Sequence, residues 1–240
     1  MSLQILVLAN AAAQGDAPPV LIAEQGGQVL VERLAAQLAP LEARVIFVLN
    51  EEDMRRWHLD KVIQLAIPGA IVLSCARPTA GAVCTAMLAL HHIDLEDELL
   101  ILAANERLEI AYPATLEDFR ARGLDAATLV FSSLHPRYAY VALDDDGAIV
   151  EAAEKRPISR NATAGFYWYA RAGDFLDAAQ DMIRKDAQVD GAFYLSMIFN
   201  QLVLRQRRLG VRQIAARDYV PLKSARQINA YEGDFEERFW

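Results

Sequence analysis

Unbroken apolar runs of strand length recur along the first half of the chain, at Leu3–Ala9, residues 44–49, residues 70–73 and Glu98–Ala103. The stretches between them have helical spacing. Residues 28–39 bring Val31, Leu34, Ala35 and Leu38 onto one face ahead of Pro40. Residues 51–65 open with acidic side chains and turn Met54, Trp57 and Leu65 inward, and residues 81–93 form a further helix. A strand without polar alternation needs cover on both faces. The pattern therefore predicts four neighbouring strands in a mainly parallel sheet with helices on either side. Residues 116–122 read as a short helix behind Thr115 as N-cap, with Gly123 as its stop.

Beyond that helix the periodicity changes. Residues 138–143 and 148–153 flank the acidic turn Asp144-Asp145-Asp146-Gly147 and predict a hairpin. Residues 165–169 form an aromatic strand, residues 174–185 and 193–208 amphipathic helices, and residues 210–214 a last short strand. No repeat, linker or low-complexity segment intervenes, so residues 1–240 are expected to be one domain with a small α+β C-terminal part.

Composition narrows the function classes. With 24 basic against 32 acidic residues and a net charge of −8, the chain lacks the footprint of a nucleic-acid binder. A small anion is a different matter, since one Lys or a few backbone N–H groups can hold a phosphate. No apolar run approaches the ~20 residues that span a bilayer, and the N-terminus runs straight into a strand without a signal peptide. No membrane association is expected, and the expected location is the cytoplasm. Cys75 and Cys84 sit in apolar stretches and make neither a disulfide framework nor a zinc site. Neither a Walker phosphate loop nor a dinucleotide glycine fingerprint is present. His58, His91, His92 and His135 form no chelating set, because adjacent helical residues such as His91 and His92 diverge by about 100°. Asp144 and Asp146 could be offered as the metal motif of a glycosyltransferase, but a tight turn ending in Gly147 already explains aspartates there.

Three segments are more specific. Pro78-Thr79-Ala80-Gly81-Ala82-Val83-Cys84-Thr85-Ala86 precedes a helix and the run Glu98-Leu99-Leu100-Ile101-Leu102. His135-Pro136-Arg137-Tyr138 leads through the acidic turn to Glu151-Ala152-Ala153-Glu154-Lys155-Arg156-Pro157 and Ala164-Gly165-Phe166-Tyr167. Phe193-Tyr194-Leu195-Ser196 and Phe199-Asn200-Gln201 then lead to the closing strand. In this order and spacing the chain resembles the sugar-phosphate nucleotidyltransferases, the nucleotide-sugar pyrophosphorylases. Among them it is most similar to the branch associated with capsule and other surface polysaccharides. The resemblance runs from about residue 4 to residue 231 and implies a Rossmann-like, GT-A-like α/β fold.

It also implies a chemistry. A sugar phosphate attacks the α-phosphate of a nucleoside triphosphate and pyrophosphate leaves, so the protein's work is positioning and charge neutralisation. The nucleotide side would comprise Ala9, Asn10, Gly81, Ala82 and Asn105. Glu154 would bind sugar hydroxyls, Lys155 the phosphate, and Gly165 would let the sugar approach the backbone.

Two parts of the family pattern are replaced. Asn10, Ala12, Gln14 and Pro19 stand where the triphosphate loop has glycines, an Arg and a Lys. Asn105 and Pro221 stand where magnesium would have two aspartates, leaving Glu106 and Asp218 as weak substitute ligands. The resemblance then implies a binder of a sugar phosphate or nucleotide sugar whose catalysis is lost or much reduced. The alternative is an active enzyme with magnesium on Glu106 or Asp218, and a glycosyltransferase is a distant third. A homodimer is the default expectation for assembly.

Overall fold

The structure is a computed structural model, and it describes residues 2–10 and 18–233. From the N-terminus, β1 (Leu3–Ala9) leads to the two-residue strands β2 (Glu24–Gln25) and β3 (Gln28–Val29). There follow α1 (Leu30–Leu38), β4 (Arg44–Asn50), α2 (Glu51–Trp57), α3 (Leu59–Ala66), β5 (Ile71–Cys75), α4 (Ala82–Met87) and β6 (Glu98–Ala103). The chain continues through β7 (Glu106–Leu108), α5 (Tyr112–Ala121), β8 (Ala126–Ser132), β9 (Ala139–Leu143), β10 (Ile149–Glu154) and β11 (Asn161–Tyr169). It closes with α6 (Ala172–Arg184), α7 (Ile198–Leu204), β12 (Leu209–Gln213), β13 (Tyr219–Pro221) and α8 (Ala225–Gly233).

The four apolar runs are neighbours, as their pattern predicted. β1 lies between β6 and β4, β5 flanks β4, and all three pairings are parallel. β11 then joins β6 antiparallel, with Phe166 opposite Leu102. On its other edge β11 pairs with β8, which carries β12, and its Ala162 also reaches Tyr140 of β9. The nine-stranded sheet therefore forks at β11.

Successive side chains of a strand point to opposite faces, and both faces are filled. Ile5, Val7, Phe47, Leu102, Phe166 and Trp168 pack under α1, α3 and α5. Leu6, Leu8, Ile46, Ile101, Tyr167 and Tyr169 pack under α4, α6 and α7. The result is an α/β fold with a mainly parallel mixed sheet covered on both sides. Cys75 and Cys84 are free thiols, the first buried. Among the described residues no helix is long and apolar enough to cross a membrane.

Several helices are shorter than their periodicity predicts, and each has a local reason. Gln28 and Val29 are used in β3, so α1 starts at Leu30. The helix expected over residues 51–65 is two, because His58 adopts a left-handed conformation at φ 50°. The break resets the buried face: Leu59 and Ile63 turn inward, and Leu65 is 83% exposed. Residues 81–93 divide into α4 and a single 3₁₀ turn at Leu90–His92, and residues 193–208 retain only the turn Leu195–Met197 and α7. α5 begins ahead of Thr115, whose hydroxyl donates to the Ala111 carbonyl at 2.9 Å inside the helix, and Pro113 sits in the first turn where its missing N–H is harmless. β8 is an additional strand that the helix-and-turn reading of this region passes over.

Candidate functional site

The parallel strands end along one edge of the sheet, and the segments that leave them enclose a cleft of about 390 Å³. β1 delivers Ala9 and Asn10 to it, β6 runs out into Ala103, Ala104 and Asn105, and the segment after β5 contributes Thr79, Gly81 and Ala82. Pro19 lines it too, whereas Ala12 and Gln14 lie outside the described residues. An open α/β sheet binds ligands at this edge because strand ends leave backbone groups and short loops facing a common crevice.

The Asn10 amide donates to the Thr85 hydroxyl at 2.9 Å, and Thr85 in turn lies 2.7 Å from the Thr79 hydroxyl, so the β1 end and the α4 entrance are tied together. Gly81 has φ 114°, and a Cβ there would stand 2.5 Å from the Phe193 carbonyl oxygen. The backbone of Phe193 crosses at this point, donating to the Ala80 carbonyl at 2.8 Å and accepting from the Val83 N–H at 3.1 Å. Gly81 is thus required by the fold itself, whatever its part in binding a nucleotide. The Asn105 carbonyl accepts from the Leu222 N–H at 2.8 Å, which draws the C-terminal segment over the cleft.

Glu154, Lys155 and Gly165 do not line this cleft. Gly165 lies beneath it, against a small adjoining void of about 30 Å³. A Cβ at Gly165 would fall 2.6 Å from the Ala103 Cβ and 2.7 Å from a Glu106 oxygen, and the Gly165 N–H donates to that same carboxylate. The room that a side chain would need is taken by Glu106. Glu154 accepts from the Ser196 hydroxyl at 2.7 Å, next to Leu195 on the cleft wall. Burial raises its carboxyl above the ordinary range, opposed by the Ser196 hydrogen bond and by the charges of Lys223 and Lys155. Lys155 has a left-handed backbone at φ 54°. Its ammonium is 3.0 Å from Asp190 and 5.3 Å from the centre of the Tyr194 ring, and Tyr194 and Asp190 keep it firmly protonated.

Two charged residues on the cleft wall escaped the sequence reading. Asp53, only 5% exposed, faces it from the first turn of α2, and burial followed by the charge of Glu52 raises its carboxyl. Its signal was positional: it follows directly on a parallel strand. Lys223 is the other. β13 pairs with β7 so that Pro221 lies opposite Glu106, and the chain then carries Lys223 back to form an ion pair with the Glu106 carboxylate, which is 5% exposed. Burial, then the charge of Glu106, pushes the Tyr219 hydroxyl up.

These residues do not suit magnesium. Glu106 is committed to an ammonium and a backbone N–H, Asn105 offers a neutral oxygen, and Asp218 does not line the cleft but sits 3.8 Å from Arg217. Among the described residues no group of three His, Cys, Asp or Glu side chains is placed to hold a metal ion. Asp144 and Asp146 stand at the other end of the β9–β10 hairpin from Glu154, and the Asp144 carboxylate caps the turn by accepting from the N–H groups of Asp146 and Ala148 at 3.1 and 2.8 Å.

No family model matches the chain, and no curated protein does. Solved structures do match it. The nucleoside-diphosphate-sugar pyrophosphorylase from Vibrio cholerae RC9 superposes with a TM-score of 0.79 at 19% identity, over 95% of this chain and 98% of that one. The fold is a nucleotidyltransferase fold. A protein from Bacillus anthracis described as a glucose-1-phosphate thymidylyltransferase, in complex with sucrose, gives 0.76 at 14% identity over 98% and 96% of the two chains. The inositol-1-phosphate CTP transferase from T. maritima gives 0.70 at 15% identity over 93% and 90%. At such identities the architecture is what is shared.

Proposed function

We propose that this chain binds a sugar phosphate or nucleotide sugar in the cleft at the strand ends and has lost most or all nucleotidyl transfer. The fold and the position of the cleft support a nucleotide-sugar ligand. The observation that carries the loss of catalysis is the engagement of Glu106 with Lys223 and the Gly165 N–H, which among the described residues leaves no carboxylate set placed for magnesium. Asn10 and Pro19 on the cleft wall add no cation to offset triphosphate charge. Glu154 and Lys155 stand next to the cleft through Ser196 and Tyr194, where a sugar phosphate extending from the nucleotide side would meet them.

Calorimetric titration with sugar 1-phosphates, nucleotide sugars and nucleoside triphosphates tests the reading, each run with magnesium and with a chelator. Binding of a sugar phosphate or nucleotide sugar, indifferent to magnesium, is expected. Pyrophosphate release at about 1 s⁻¹ or faster from any triphosphate and sugar 1-phosphate would overturn the loss of catalysis.

A further inference from the structure

We infer that Asp53 reads the base of a guanine nucleotide, its carboxylate accepting the two parallel N–H donors on one edge of the ring. The inference rests on the reading of the cleft as a nucleotide-sugar site and names the base. Asp53 stands in the first turn of α2, directly behind β4, and it lines the cleft while only 5% exposed. Among the described residues its carboxyl accepts no hydrogen bond and joins no ion pair. Burial raises that carboxyl, the charge of Glu52 adds to the effect, and the charge of Arg56 one turn along opposes it. A carboxylate withdrawn from water without a partner is costly, and the free N–H groups of a first helical turn offset only part of the cost. Leu8, Leu21 and Leu59, which share the cleft wall with it, have no side-chain donor to give. The group is left for a ligand to complete.

The order of strands sets which end of the ligand meets it. The turn Leu195–Met197 brings Leu195 to the cleft and Ser196 to Glu154, and it packs on β10 and β11. Asp53 follows β4, which lies beyond β6 and β1 from β11. At the ordinary strand spacing that separation is about 14 Å, room for a ribose and phosphates between the two ends. A sugar phosphate near Glu154 thus puts the base at the Asp53 end. An ionised carboxylate accepts with both oxygens and donates with neither. Guanine presents a ring N–H and an amino group side by side, which match it. Uracil and thymine offer one ring N–H between two carbonyl oxygens, and the carboxylate repels both. Cytosine and adenine set an amino group beside an acceptor nitrogen. Two charge-assisted bonds in parallel therefore favour guanine over the other four.

The test is titration calorimetry of the full chain with GMP, IMP, UMP, CMP and AMP, beside sugar 1-phosphates and nucleotide sugars. GMP should bind about tenfold or more tightly than UMP, CMP or AMP. IMP, which lacks the amino group, should lose several-fold against GMP, a comparison that needs no substitution. Asp53→Asn keeps the shape, removes a buried charge and turns one acceptor into a donor. It should weaken GMP by about tenfold or more and bring UMP level with it or ahead, a change of order that a packing role would not produce. Circular dichroism establishes that the variant is folded. No binding of GMP, equal affinity for GMP and UMP in the parent, or an unchanged guanine preference in the folded variant overturns the inference. Sugar-phosphate or nucleotide-sugar binding without guanine preference overturns it and leaves the reading of the site standing. Asp53-dependent GMP binding without affinity for any sugar phosphate or nucleotide sugar supports it and overturns that reading.

Discussion

The two glycines singled out for ligand approach are needed first by the protein's own backbone and side chains. Gly81 combines φ 114° with a neighbouring carbonyl oxygen 2.5 Å from where its Cβ would be. Gly81→Ala should therefore destabilise the chain by about 2 kcal/mol or more, read as a lower urea midpoint at unchanged m-value. Glu154 gives a pH-dependent counterpart. Burial raises its carboxyl in the folded chain, so the folded state holds that proton more tightly than the unfolded one. The contribution to stability is fully present below the unfolded pKa of about 4.3 and is lost as pH rises through the folded value. Glu154→Gln should then melt above the parent at pH 7.5, with the difference closing below about pH 4. A gap that does not vary with pH would show that the carboxyl's charge is not the reason.

At the scale of elements, the buried Glu98 at the start of β6 joins sheet to helix. It accepts Arg120 Nε at 2.8 Å and Nη2 at 2.6 Å from α5, and the Trp168 indole N–H reaches it from β11 at 3.4 Å. Arg120→Ala would leave that carboxylate without its cation. With the guanidinium 46% exposed, the expected loss is about 2 kcal/mol by chemical denaturation, below the value for a fully buried pair. Strands of this kind were legible in the sequence because their apolar runs report burial on both faces, a local property. The boundaries of α4 and α7 were not, since Phe193 and Tyr194 meet partners far along the chain, and α1 starts late because Val29 is drawn into a short hairpin with Glu24. β8 was missed because its strongly apolar part, Leu129-Val130-Phe131, is only three residues long behind the small Ala126-Ala127-Thr128, and its burial comes from β11 and β12 on either side. The same logic divides the site. Asn10 and Asn105 closely follow the ends of β1 and β6, and Gly81 stands at the entrance of α4, so their places could be read from position. Lys223 depends on the pairing of two three-residue strands, β7 and β13, that no periodicity announces.

For the whole molecule, the sheet acts as a platform whose edge can lose chemistry without losing packing. Val7, Leu8, Ala103 and Ala104 belong to the covered sheet or its immediate margin, while Asn10, Pro19 and Lys223 belong to connections beyond it. Substitutions in such connections leave most of the core burial untouched. This accounts for a match in fold to the Vibrio cholerae pyrophosphorylase over 95% of this chain at only 19% identity.

The fork at β11 also fixes an order of events during synthesis. β6 and β8 leave the ribosome well before Asn161–Tyr169, and until that strand emerges β6 is paired with β1 on one edge alone and β8 lacks the partner it shares with β6. At ~5–20 residues per second the wait between Ala103 and Tyr169 is on the order of 3–13 s, long compared with hairpin formation. Apolar strand edges waiting that long are templates for other chains. A nascent chain halted after Arg160 should bind chaperones and sediment when released, whereas one extended through α6 should do so far less. Equal solubility of the two in a ribosome-release assay would show that β11 is not what closes the edge. One strand inserted late thus leaves an apolar sheet edge uncovered for a defined interval of translation.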